Sequence, residues 1–513
     1  MATVVTSVEV ERKYDVDTDV SGPELADLAG VAAVSPPERY RLVATYYDTA
    51  DLRLRSARVT LRHRTGGRDA GWHLKLPAGS DREELTVQAP ADAVPEALRT
   101  LVRVWVRNAE LLPVARVATE RVVQRLLDDH GQPLVELADD SVTAARLPDG
   151  QALRWRELEA ELIGGDRALL DSVQERLLAA GASRSRSGSK VARVLPDPAA
   201  AEAESPWWSK PRGHRTEPTA AAVVYAHLSE QVAELQTRDP QARRDLPDAV
   251  HKMRVATRRL RSALATFRPL LDRERTDPLR DESRWVAGVL GQVRDAEVMH
   301  ARLLRLVAAE PPELVLGKVA ERISTAMRRQ HAEAHARLLQ ELESDRYLRL
   351  LDALDGLVAA PPFRNRAQGQ APRVLAHAMR RTWRRLDRRM DQADRCPPGS
   401  AQQELLHEVR KDAKRARYAA EALTPVFEDP ARRFAKVMEE LQESLGDLQD
   451  SVTTREALRA LGARGHLAGV NGFTYGRLHA LEQARAEVTG EQWSRQRAGI
   501  RARNLRRWFD GEG

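Results

Sequence analysis

Residues 8–16 read VEVERKYDV, and alternation sets Glu9, Glu11 and Lys13 on one side of an extended segment and Val8, Val10, Arg12 and Tyr14 on the other. Two carboxylates and an ammonium on one strand face are costly unless opposite charge lies between them. The same period of two recurs along the first 195 residues. VTLRHR sets Thr60, Arg62 and Arg64 against Val59, Leu61 and His63, and GWHLKLP sets His73 and Lys75 against Trp72, Leu74 and Leu76. TERVVQR aligns Thr119, Arg121, Val123 and Arg125, while WRELEAELI aligns Trp155, Glu157, Glu159 and Glu161 against Leu158, Ala160 and Leu162. Acids gather on 8–14 and 155–162, bases on 59–64, 72–76 and 119–125. An ordinary solvated face would mix the signs within each strand. Segregation fits a closed sheet with a charged interior, one side for cations and the other for anions. Carboxylates clustered without Cys or His favour Mg²⁺ or Mn²⁺, and facing Arg and Lys clamp phosphates. The implied ligand is a linear phosphate chain.

The remaining sequence fixes the setting of these strands. A chain of 513 residues is long enough for two or three domains. The single cysteine, Cys396, excludes an intramolecular disulfide framework and fits a reducing compartment. With no signal-like leader and no apolar run of membrane-spanning length, the expectation is a cytoplasmic protein. Residues 1–195 carry 27 Lys and Arg against 30 Asp and Glu, whereas residues 219–513 carry 52 against 41. Basic character therefore belongs to the C-terminal part, where a polyanion surface should be sought. Between them, residues 196–218 are rich in Pro, Ala and Glu without periodicity and read as a linker, whose Trp207 and Trp208 suit docking on a neighbouring domain.

Residues 5–195 resemble the CYTH, or triphosphate tunnel metalloenzyme, family. Its Glu-x-Glu-x-Lys signature stands as Glu9, Glu11 and Lys13, followed in the family's order by YYDT (46–49), VTLRHR, GWHLKLP, DREEL (81–85), ELEAEL (157–162) and SKVARVL (189–195). The resemblance implies an eight-stranded antiparallel β tunnel that hydrolyses triphosphates with Mg²⁺ or Mn²⁺. It implies Glu9, Glu11, Glu157 and Glu159 as metal ligands, with Glu161, Glu136 and Asp140 extending the acidic set; strand parity with Glu136 favours Asp140 over Asp139. It implies Lys13, Arg62, Arg64, Lys75, Arg121 and Lys190 as phosphate binders, with Arg82 and Glu84 also facing the tunnel. The reaction class is phosphoryl transfer to water and needs no Ser, His or Cys nucleophile.

From about residue 219 the composition turns to Ala, Leu, Arg and Glu with a 3.6-residue period, the mark of helices. AVHKMRVATRRLRSALATF (249–267) repeats as LLHEVRKDAKRARYAAEAL (405–423), and LGQVRDAEV (290–298) as LGDLQDSVT (445–453). His251, Arg254, Arg258 and Arg261 recur as His407, Arg410, Lys414 and Arg417, each set forming one helix face. This part resembles the CHAD family, which implies two pseudo-symmetric helical bundles (about 219–365 and 366–510) binding inorganic polyphosphate, and with it polyphosphate granules as a further location. The family's contacts map onto both sets, with Lys252 and Lys411 added, and Arg381, Arg384, Arg385 and Arg388 of HAMRRTWRRLDRR are further candidates. Nucleic acid is the competing polyanion. Only Tyr418 and Trp383 interleave with the stripes, which leaves few platforms for base stacking, and no helix-turn-helix or RNA-binding motif stands out.

The overall expectation is a multidomain α+β chain: a tunnel over 1–195 cleaving inorganic tripolyphosphate, then a helical domain over 219–510 that holds polyphosphate. The rivals are a non-catalytic polyphosphate receptor and a nucleoside or thiamine triphosphatase. Two short motifs mimic other sites. SRSGSK (185–190) lacks phosphate-loop spacing, and HAEAH (331–335) has His at i and i+4 but its Glu misplaced for a zinc protease.

Overall fold

β-Branched and apolar residues alternating with charge build one large antiparallel sheet in the N-terminal unit. In the computed structural model, which describes residues 4–17, 24–79, 81–196, 218–397, 399–500 and 503–510, the strands are β1 Val4–Glu9, β2 Glu11–Val16, β3 Ala33–Val34, β4 Glu38–Asp48, β5 Thr60–Thr65, β6 Gly71–Ala78, β7 Asp81–Val87, β8 Leu112–Leu127, β9 Pro133–Arg146, β10 Leu153–Leu162 and β11 Ser183–Arg184. Their order is β1-β7-β6-β5-β4-β8-β9-β10-β2-β11, with β3 on β8. β1 and β2 are consecutive halves of one extended segment interrupted only at Val10, so the sheet curls until its two ends meet on that segment. Counting it once, and leaving aside two-residue β3 and β11, eight strands form the wall.

Register sets the interior. Glu11, Glu161 and Glu136 lie directly opposite one another across β2, β10 and β9; one row deeper Lys13 faces Glu159, and deeper still Asp15, Glu157, Asp140 and Arg121 align. On the other side of these strands, Tyr14, Leu158 and Ala160 pack with Leu170, Val173 and Leu177 of α3 (Arg167–Ala179). Each large side chain buried there contributes about 1.5–3 kcal/mol. That apolar contact makes a register slip prohibitive, because it would turn the carboxylates into the core. Asp166 caps α3 by accepting from the Leu169 amide at 2.8 Å. Short α1 (Arg53–Ser56), α2 (Glu96–Val106) and a 3-10 turn at Lys190–Arg193 complete this unit.

The C-terminal unit is helical: α4 Ala220–Arg243, α5 Ala249–Thr266, α6 Arg273–Ala308, α7 Val319–Leu342, α8 Asp345–Ala359, α9 Ala371–Arg395, α10 Ser400–Leu467, α11 Phe473–Ile500 and α12 Arg503–Asp510. α10 is two helices joined at a break at Glu428 (φ 45°, ψ −123°), between Pro425 and Pro430. With that break, α9, the two parts of α10 and α11 repeat the order α4, α5, α6 and α7, as the internal sequence match requires. The chain divides into two compact units, Met1–Glu204 and Ser205–Gly513. The expected linker lies almost wholly outside the described residues, Trp207 and Trp208 included. No helix among the described residues is long and apolar enough to cross a membrane.

Candidate functional site

The tunnel encloses a cavity of about 130 Å³ bordered by seven acidic and seven basic residues. All seven expected phosphate binders line it: Lys13, Arg62, Arg64, Lys75, Arg82, Arg121 and Lys190. Of the expected carboxylates, Glu9, Glu11, Glu136, Glu159 and Glu161 line it, joined by Glu84.

Glu157 and Asp140 are not brought to the cavity surface. They lie buried behind it, where the Lys190 ammonium reaches Asp140 and Glu157 at 2.8 Å and Glu159 at 2.7 Å. Arg121 donates to Asp140 through Nε at 2.8 Å and Nη2 at 2.6 Å, and Nη2 also reaches Glu159 at 2.5 Å. Trp155 donates to Glu157 at 2.5 Å. Asp139, the alternative to Asp140, points the other way onto Arg156. The three acids around Lys190 lie close enough to share one cation, and the lysine supplies it.

Nearer the mouth the carboxylates are less well answered. Lys13 bridges Glu11, at 3.0 Å, and Glu159; Lys75 pairs with Glu9 and lies 3.7 Å from Glu84. Glu136 is held by Arg125 at 2.9 Å. The Glu161 side chain, between Glu11 and Glu136 in register, has no hydrogen bond or ion pair among the described residues. Burial raises its pKa, and Glu11 and Glu136 add to the rise against the pull of Lys75. Burial also pushes Glu9 up to about 7, with Lys75 opposing and Glu84 reinforcing. Glu159 is the reverse: burial would raise it, but Lys13, Lys190 and Arg121 hold it well below the usual carboxylate range. Burial and the neighbouring Arg62 and Arg121 push Arg64 down to about 9, so that edge of the cavity favours an anion. The residues fit a divalent cation: like charges face each other across adjacent strands, and the Glu161 carboxylate has no direct partner among the described residues.

Three contributors escaped the sequence reading, the first being Asp69, a cavity residue that pairs with Arg64. The Tyr46 hydroxyl accepts from Arg62 at 3.3 Å, and Arg193 lies over the Trp155 ring, 3.6 Å from Glu157. Tyr46 shares its strand face with Leu42 and Ala44, also cavity residues, so parity within β4 was the available signal.

In the helical unit α5 and the first part of α10 bring the two stripes together. Lys414 is pushed down to about 6 by burial and by Arg258, Arg410, Arg254 and Arg417; burial and Arg254, Arg261 and Arg410 lower Arg258, against Tyr418. Arg258, Arg261 and Lys414 have no ion pair among the described residues, whereas Arg254 reaches Asp295 at 3.4 Å and Arg417 pairs with Glu421 and Glu439. The paired Leu-Gly motifs make room for this. A β-carbon at Gly291 would lie 3.4 Å from the Arg254 guanidinium, and one at Gly446 would lie 2.9 Å from that of Arg410. Each glycine is a notch for the leading arginine of its own repeat. Arg280, Arg284 and Arg415 extend the field felt by Arg261 or by its neighbours, a contribution sequence spacing did not reveal.

The remaining expected contacts are more scattered. His251 and His407 head the stripes half-buried, their pKa values lowered by burial first. Lys252 and Lys411 are exposed, Lys411 pairing with Glu408. On α9, Arg385 is tied to Asp412 of α10 at 2.8 Å and Arg381 donates to the Thr266 carbonyl, while Arg384 and Arg388 lie exposed beside them.

Residues 7–195 match the CYTH domain family and residues 226–459 the CHAD domain family. The uncharacterized proteins Rv2226 and MT2285 of two Mycobacterium tuberculosis strains are each 39% identical over 502 residues, covering 94% of this chain and 94% of theirs. The chain belongs to the CYTH–CHAD family. CYTH proteins are metal-dependent triphosphate-tunnel enzymes, so a triphosphate-related activity belongs to the CYTH unit. Among solved structures, PptA from Streptomyces chartreusis is 22% identical, covering 55% of this CYTH–CHAD chain and 99% of its own, with a TM-score of 0.45. The CHAD domain from the plant Ricinus communis is 24% identical, covering 58% and 97%, also with a TM-score of 0.45.

Proposed function

We propose that the CYTH unit hydrolyses inorganic tripolyphosphate to pyrophosphate and phosphate, and that the CHAD unit binds long-chain inorganic polyphosphate. The observation carrying the first part is the convergence of Glu9, Glu11, Glu159 and Glu161 with Lys13, Arg62, Arg64, Lys75, Arg82 and Arg121 on one small polar cavity. Its lining offers charge but few rings, which suits a phosphate chain better than a nucleoside or thiamine moiety.

In this reading Glu9, Glu11, Glu159 and Glu161 would hold Mg²⁺ or Mn²⁺, which would supply positive charge for the phosphate oxygens and for activating water. Arg62, Arg64 and Arg82 bind the phosphate oxygens; Lys13 and Arg121, anchored by carboxylates, are oriented before substrate arrives and stabilise charge on the leaving group. Glu157 and Asp140 are positioning residues that fix Lys190 and Arg121. The unpaired Arg258, Arg261 and Lys414, with Arg254 and Arg410, support the second part.

The test is phosphate release from tripolyphosphate with Mg²⁺ or Mn²⁺, beside ATP and thiamine triphosphate, for wild type and Glu9→Gln/Glu11→Gln. The double variant should lose at least about a thousandfold in rate, the scale of losing metal-borne stabilisation worth roughly 4 kcal/mol, and still bind polyphosphate. Full activity in the variant defeats the metal assignment. Equal turnover of all three substrates defeats the inorganic one.

A further inference from the structure

The HAEAH segment lacks a zinc-protease glutamate, yet the fold supplies its histidines with carboxylates from elsewhere. His331 lies on α7, Asp245 in the turn between α4 and α5, and Glu297 on α6. His331 Nε2 stands 3.5 Å from Asp245 Oδ1 and 3.6 Å from Glu297 Oε1, and the three residues each bring one ligand atom within 4.8 Å of the other two. Those N···O separations are long for hydrogen bonds. They match the edge of a tetrahedron around a metal with bonds of about 2.0–2.2 Å, whose neighbouring ligands stand about 3.3–3.6 Å apart.

The surroundings hold each donor in place. Glu297 gives its other oxygen, Oε2, to Arg294 at 2.8 Å, leaving Oε1 directed at the imidazole. His335 Nε2 donates to the Ala242 carbonyl at 2.8 Å, pinning the turn that carries Asp245, and its ring stacks on His331 with centroids 6.1 Å apart. Asp245 sits at φ 53°, an uncommon conformation for a side-chain-bearing residue. The second repeat has no equivalent: in the match of LGQVRDAEV with LGDLQDSVT, Arg294 and Glu297 stand over Gln449 and Val452. The arrangement is thus not a by-product of the duplicated bundle.

We propose that Asp245, Glu297 and His331 bind a divalent transition metal ion of the Zn²⁺ type, with water completing the coordination and His335 and Arg294 positioning the ligands. One imidazole with two carboxylates is a nitrogen and oxygen donor set suited to Zn²⁺. The site lies wholly within the helical unit and is independent of the tunnel carboxylates.

The experiment is calorimetric titration of chelator-stripped full-length protein with Zn²⁺, together with metal analysis after gel filtration. It is run on wild type, His331→Ala and Asp245→Asn, and again with each in the Glu9→Gln/Glu11→Gln background to remove tunnel contributions. Wild type should bind one equivalent that disappears in both variants, in either background, with metal-free circular dichroism and melting unchanged. Should His331→Ala fail to fold, Asp245→Asn carries the comparison. Retention of the equivalent in a folded variant, or no such equivalent in wild type, overturns the proposal.

Discussion

The two charged regions handle their cations in opposite ways. In the tunnel Lys13, Arg62, Arg64, Lys75, Arg121 and Lys190 each lie within ion-pair reach of a carboxylate. On the helical face Arg258, Arg261 and Lys414 have none among the described residues, and Arg258 and Lys414, like Arg64 in the tunnel, are shifted toward their neutral forms. Paired cations are fixed in position before a ligand arrives, as a reaction needs. Unpaired cations repel until a polyanion supplies the missing charge, as the proposed polyphosphate receptor needs. A net charge of +7 for the whole protein conceals this distinction.

Substitutions at matching points of the two regions sharpen the contrast. Lys190→Met leaves Asp140, Glu157 and Glu159 around a missing cation, and loss of one partner from a buried pair costs about 3–5 kcal/mol. Denaturant melts should show that loss; an unchanged midpoint would erase the distinction between the regions. Arg258→Met removes a repelled charge, so stability should hold or rise while polyphosphate affinity falls about tenfold, the value of one charge-assisted contact of roughly 1.5 kcal/mol. A destabilised Arg258→Met would mean the face is compensated after all.

Lys414, held at about 6, is largely uncharged at pH 8 in the folded chain. The sign follows: the unfolded chain binds the extra proton between pH 6 and the ordinary lysine value, so this group's contribution to stability grows as pH rises through that window. Bound polyanion reverses the shift, and calorimetry at pH 8 in buffers of different ionisation enthalpy should record uptake of up to one proton, absent in Lys414→Met. The smallest effect is expected at the glycine notch. Gly446→Ala should raise helix stability by about 0.5–1 kcal/mol yet push the Arg410 guanidinium aside and weaken polyphosphate binding two- to fivefold. Unaltered affinity would make the notch a packing feature only.

Strand parity and helical period made the faces legible, since each assigns a residue to a side from spacing alone. Glu9, Glu11 and Lys13 share the cavity for that reason, and Arg258 meets Lys414 because two copies of one stripe pack together. Depth was not legible. Glu157 and Glu161 have the same parity, yet one lies behind the cavity with Lys190 and the other at its surface, a difference set by a segment 29 residues or more beyond them. Nor did the Leu-Gly match disclose its purpose, because the arginine that fills each notch comes from the preceding helix.

The seam of the tunnel runs along the segment that carries Glu9, Glu11 and Lys13. Its partners are remote in the chain: Lys75 is 66 residues from Glu9, and Glu159 is 146 residues from Lys13. Contacts across such separations are opposed by loop-closure entropy until much else is in place. The acidic pair therefore reaches its position only as the sheet shuts, and a chain arrested short of that step has strands but no site. On the proposed function, recovery of phosphate release during refolding would accordingly report closure of the seam rather than formation of the strands.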